Sequence, residues 1–82
     1  MYIHIGEDHS IRVNDIIAIL DKASVKNSEL LTEFLEHHQD KVMNLSKNPF
    51  KSVVVTFDKV YLSPIASGTL RKRSNQVTIQ EI

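Results

Sequence analysis

The stretch "SVVVTF" (52–57) decides the fold. Three consecutive β-branched valines crowd a helix and suit a pleated strand. An apolar run without alternation fits a strand that buries both faces. Working outward, Asp58-Lys59 can turn the chain back into "VYLSPI" (60–65), so the two segments form a hairpin. Pro64 lacks an N–H for a ladder and confines this second strand to an edge or marks its end. Before the valines, "SKNPFK" (46–51) is a loop broken by Asn48-Pro49, and "KVMNL" (41–45) reads as a strand.

Further upstream lies a helix. Asn27 or Ser28 can cap it, and Glu29 in the first turn suits the helix dipole. Leu30, Leu31, Phe34, Leu35 and His38 form one amphipathic stripe expected to face a core, with Glu29, Glu33, Glu36 and Asp40 on the outer face. Phosphate would repel that acidic face, so this helix does not enter a DNA groove. "IIAIL" (16–20) reads as a strand buried on both faces, "SIRV" (10–13) and "YIHI" (2–5) as shorter strands, and Asn14-Asp15 as a turn. At the other end "SGTLRKR" (67–73) is read as a short helix and "VTIQEI" (77–82) as a last strand. The expected architecture is α+β: a small, mostly antiparallel sheet of about six short strands, one main amphipathic helix and a short C-terminal helix.

The 82 residues imply a single domain over 1–82, with roughly 63% of the unfolded surface buried. A core of that size is modest, and self-association is a common remedy. There are no cysteines, hence no disulfide, thiol nucleophile or Cys-based zinc site. The opening "MYIHIGEDHS" lacks the basic and apolar regions of a signal peptide, and no apolar run reaches the length of a membrane span. A cytoplasmic protein without membrane contact is expected.

Catalytic and metal motifs are weak. His37 and His38 are adjacent and point about 100° apart on a helix, while His4 and His9 flank a turn with no third ligand in a recognisable spacing. Asp8, His9 and Ser10 are the residue types of a hydrolase triad, but a triad is assembled in space from separate elements. Only Gly6 and Gly68 are present, so there is no Gly-rich phosphate loop. The reading is no enzyme, no cofactor and no metal. Tyr2, Phe34, Phe57 and Tyr61 occupy core-like positions, and Phe50 lies in the basic loop.

Charge is the informative feature. Formal net charge is zero, yet residues 1–46 carry four Lys or Arg against eight acids, a net of −4, and residues 47–82 carry six against two, a net of +4. Lys47 and Lys51 flank the Pro49 loop, and Arg71, Lys72 and Arg73 are consecutive. A solvated face is the ordinary reading of such a run. The functional reading is contact with phosphates, since a few clustered cations release counterions from DNA.

"MYIHIGED", "SVVVT" and "YLSPIASGTLRKR" together resemble the RemA/RemB family of small bacterial extracellular-matrix regulators, over nearly the whole chain. The resemblance implies a LytTR-like fold, a ring-shaped homo-oligomer, and double-stranded DNA as the partner of a regulator of extracellular-matrix and biofilm genes. A RemA-like protein is a further partner it implies, and the alternative function is a module that binds such a sister regulator without touching DNA. In the RemA branch of the family an arginine follows the asparagine before the third strand; here Asp15 follows Asn14. That branch also carries an arginine pair in the loop before the Val-rich strand, where this chain has Lys47 and Lys51. The DNA-facing residues expected here are Lys47, Lys51, Arg71, Lys72 and Arg73.

Overall fold

The computed structural model describes residues 1–47 and 49–80, residues 76–80 by backbone alone. Among the described residues six strands and three α-helices follow the order β1 (Tyr2–Gly6), β2 (His9–Arg12), β3 (Ile16–Asp21), α1 (Lys22–Lys26), α2 (Glu29–His37), β4 (Val42–Asn44), β5 (Ser52–Thr56), β6 (Val60–Ser63) and α3 (Ser67–Gln80). The α+β class is as expected. The strands, however, divide between two sheets: an antiparallel β1–β2 hairpin, and a four-stranded sheet in the order β3-β5-β6-β4, in which β4 runs parallel to β6.

The valines of β5 do what their pattern requires. The strand is central, antiparallel to β3 and to β6. Val54 enters one hydrophobic cluster with Ile3, Ile5, Ile11, Leu45, Tyr61 and Leu70. Val53 enters a second, on the opposite face, with Val25 and Val60. Alternation of side chains across the strand separates the two clusters.

The turn between β1 and β2 is joined to the sheet at the end of β6. The buried Ser63 hydroxyl donates to the Ile5 carbonyl and accepts from the Ile65 N–H at 3.0 Å. Pro64 marks the strand end at this point, and β6 is an interior strand. Gly6 has φ +150°, and a Cβ there would lie 2.8 Å from Pro64 Cδ and 3.2 Å from Leu45 Cβ. Both the backbone conformation and the space require glycine.

Several expectations are corrected. β3 is an edge strand, and Ile17 is 59% exposed. An apolar run specifies two apolar faces but not two neighbouring strands. A register shift between Ile16 and Ala18 also lifts Ile17 out of the ladder. The stripe of α2 is only partly used: Leu31 and Leu35 pack against the second cluster, while Leu30 is 76% and Phe34 40% exposed. Tyr2 and Phe57 are also exposed, the latter at 77%, and Phe50 instead packs against the second cluster. Residues 77–80 continue α3 where a strand was expected, and residues 81–82 lie outside the described residues. Once the preceding turns have nucleated a helix, extending it costs little, and a short alternating pattern does not prevent it.

Candidate nucleic-acid interface

The expected cations occupy two places. Lys47 and Lys51 are exposed and line one open cleft of about 570 Å³, together with Pro49 and Pro64. Its lining also includes Glu7 and Asp8 from the β1–β2 turn, so the cleft holds both signs of charge. Lys51 is held by the strand pairing, because its N–H donates to the Ser63 carbonyl at 2.8 Å.

The consecutive cations Arg71, Lys72 and Arg73 lie in the second turn of α3 and are fanned apart by helix geometry. Leu70 is fully buried and fixes the inward direction of the helix. At about 100° per residue, Arg71 and Arg73 then flank the buried stripe on opposite sides and Lys72 points outward. Arg71 Nη2 donates to the Ile19 carbonyl of β3 at 2.7 Å, and Arg73 Nη1 donates to the His4 carbonyl of β1 at 2.9 Å. α3 is thereby tied to both sheets. Lys72 is exposed.

The local electrostatics connect α3 to the start of α1. Asp21 caps α1, its Oδ1 accepting from the Ser24 N–H at 2.7 Å. That bond, a further one from the Ser24 side chain, and the nearby Arg71 charge hold the Asp21 carboxyl below its ordinary value. Arg71 lies along β3, where it lines a cleft with Ile16, Ile17, Ala18 and Ile19 that is separate from the cleft of Lys47 and Lys51. The β5–β6 hairpin expected from the sequence forms.

One cation that sequence reasoning does not reach is Lys22. Its backbone N–H donates to the Lys51 carbonyl at 3.1 Å. Lys22 lies in the acidic half of the chain, and only the register of β3 on β5 reveals its neighbour.

The histidines are engaged locally. His4 Nε2 donates to the Glu7 carbonyl across the β1–β2 turn, and His38 Nδ1 donates to the Phe34 carbonyl at 2.9 Å while stacking on the Phe34 ring. The His9 and Tyr61 ring centroids are 5.0 Å apart. Burial first, then Asp58 and Asp15, pushes the Tyr61 hydroxyl above its ordinary pKa. Among the described residues no three His, Cys, Asp or Glu side chains are grouped to hold a metal ion, and no helix is long and apolar enough to cross a membrane.

Comparison with known proteins gives two matches. A family model described as "RemA-like: Extracellular matrix regulatory protein A-like" covers residues 2–73. "Extracellular matrix regulatory protein B" of Bacillus subtilis (strain 168) is 41% identical over 75 residues, spanning 90% of each chain.

Proposed function

Because the chain belongs to the RemA-like family of extracellular matrix regulatory proteins, we propose that it is a non-enzymatic cytoplasmic regulator that binds double-stranded DNA as a ring-shaped homo-oligomer and controls extracellular-matrix and biofilm genes. The observation that supports the reading is that the expected cations stand in two surface groups, Lys47 and Lys51 at the cleft before β5 and Arg71, Lys72 and Arg73 on the second turn of α3. Phosphate contacts position a protein on DNA, and several exposed cations suit that task. Their repetition around an oligomer would add weak contacts by multivalency.

Self-association is supported by the second hydrophobic cluster, which is only partly covered. Between α2 and the sheet runs a groove of about 320 Å³ whose lining is wholly apolar, with Phe34, Leu35, Val53 and Val55 among its walls. The occupant proposed is a second copy of this chain. A surface of this kind needs cover whenever the protein is present, and the partner always available is another copy. The exposed acids Glu29 and Glu33 on α2 disfavour a contact of this patch with itself, and favour a different, more basic patch of the neighbour.

The test is fluorescence polarisation of a generic duplex titrated with the full chain at 50 and 200 mM salt. Binding that weakens steeply, with a log–log slope near −0.9 for each phosphate neutralised, is the expected result. Absence of binding at 50 mM salt overturns the DNA reading. A second reading, a module that binds a RemA-like sister without DNA, is favoured by Glu7 and Asp8 sharing the cleft of Lys47 and Lys51. Salt-insensitive capture of the sister protein by a chain that ignores DNA would establish it.

A further inference from the structure

Lys22 joins a group of cations from which the sequence keeps it apart. The chain leaves β3 at Asp21, paired with Ser52, and enters α1 directly at Lys22. The Lys22 N–H to Lys51 carbonyl bond of 3.1 Å extends that pairing by one step and sets the two lysines side by side on adjacent strand ends. In space Lys22 therefore joins Lys51, although 29 positions separate them in the sequence. Arg71 belongs to a separate group, lying along β3 with its Nη2 on the Ile19 carbonyl.

The Lys22 side chain is also held. Its Nζ lies 5.8 Å from the centre of the Phe50 ring, within the range of a cation–π contact. Phe50 is itself anchored, half-buried against the second hydrophobic cluster. A lysine stem resting on a fixed aromatic ring has less freedom to lose when its ammonium meets an anion. The nearest acid in sequence, Asp21, has its carboxylate engaged on the Ser24 N–H of α1. Lys26, one turn further along α1, differs: it lines a groove together with Glu36 of α2.

We infer that Lys22 is a phosphate-contacting residue that extends the Lys47–Lys51 pair into one cationic band at the end of the four-stranded sheet, and that the band follows the sugar–phosphate backbone of duplex DNA. The inference rests on the DNA-binding reading and adds to it a residue from the acidic half of the chain. A linear polyanion is favoured over an acidic protein patch because the band runs over two separate elements, α1 and the loop before β5, as a backbone of repeating charges can follow.

The test uses the full chain, a generic 30-base-pair duplex and polarisation between 50 and 200 mM salt, with Lys22→Ala, Lys22→Gln, Lys51→Ala and Lys26→Ala. Lys22→Ala and Lys22→Gln are expected to weaken binding by about threefold to tenfold at 100 mM salt and to lower the log–log salt slope by about 0.9, the loss of one phosphate contact. Lys51→Ala should do the same, and Lys26→Ala should leave the slope in place. Lys22→Gln keeps most of the stem, so thermal melting and sedimentation of that variant separate a lost contact from a lost fold. If Lys51→Ala weakens binding and both Lys22 variants bind with unchanged slope, this inference is overturned and the DNA reading stands. If the unaltered chain does not bind the duplex, both fall. If Lys22→Gln changes oligomer size while the DNA slope is preserved, the band faces the acidic surface of a neighbour and the inference is overturned.

Discussion

The two faces of the four-stranded sheet share the same strands and are finished differently. On one face Ile3, Ile5, Ile11, Leu45, Val54, Tyr61 and Leu70 are buried together beneath the β1–β2 hairpin and α3. On the other, among the described residues, only Val25, Val53 and Val60 are buried together, and Leu31 and Leu35 of α2, which should complete the layer, are half exposed. The apolar side chains available to each face are similar; the cover is not. The first face is closed by two elements that are themselves tied down, through Ser63 to Ile5, Arg71 to Ile19 and Arg73 to His4. The second is covered by the five-residue α1 and by α2, whose apolar stripe is wider than the surface it meets. Patterning decides which residues are apolar, and closure depends on how much structure arrives from elsewhere in the chain.

The contrast breaks most directly at Leu70. Leu70→Ala should remove about 2–5 kcal/mol of stability, measured by urea unfolding, because the closed face leaves a cavity that cannot collapse. Leu30→Ala on the open face should stay within about 0.5 kcal/mol, as for most exposed positions. Equal costs at the two sites would mean that the faces are finished alike.

Gly6→Ala comes next, at about 1–3 kcal/mol, from overpacking against Pro64 and from φ +150°. A melting temperature unchanged by this substitution would mean that the hairpin can lift from the sheet at no cost. Ser63→Ala should cost about 1–3 kcal/mol, because the Ile5 carbonyl and the Ile65 N–H both lose their buried partner.

Phe57 is 77% exposed and lines a cleft with Phe34 and Val55, which also wall the apolar groove, so it extends the proposed contact surface. Phe57→Ser should change the stability of the isolated chain little and reduce its self-association, read by sedimentation at micromolar concentration. An unchanged sedimentation profile would remove Phe57 from the contact surface and narrow it to the groove beside α2.

The smallest effect is electrostatic. The folded state lowers the pKa of Asp21, so its contribution to stability is present above the ordinary carboxylate value near 3.9 and is lost as pH falls below it. Unfolding of Asp21→Asn should therefore depend less on pH between about 5 and 2.5 than that of the unaltered chain. Identical acid limbs would show that the cap does not discriminate between the charged and neutral carboxyl.

How much of this was legible in the sequence differs from one element to another. The valines of 52–56, the Ser28 cap, the turn at Asn14-Asp15 and the Pro64 stop are short-range features, and each appears where its chemistry places it. The acidic outer face of α2 was equally readable, because helical spacing alone sets which residues lie together. Of the expected interface, the cations Lys47, Lys51 and Arg71–Arg73 were visible as a run and a loop, and their surroundings were not. The cleft acids Glu7 and Asp8 come from some forty residues earlier, and the carbonyls that hold Arg71 and Arg73 are separated from them by 52 and 69 positions.

The sequence by itself therefore determined the periodicities: which segments extend, which one coils, which faces are apolar and where the chain turns. Those follow from local sterics and from side-chain direction, which need only neighbouring residues. Tertiary structure decided that "IIAIL" lies at an edge, that six strands divide into two sheets, that the helix at 67 runs on through residue 80, and that Lys22 stands beside Lys51. Each of those depends on which distant segment supplies the next strand or the covering layer. That is a choice made by the total burial and hydrogen bonding of the whole chain, and no local window contains it.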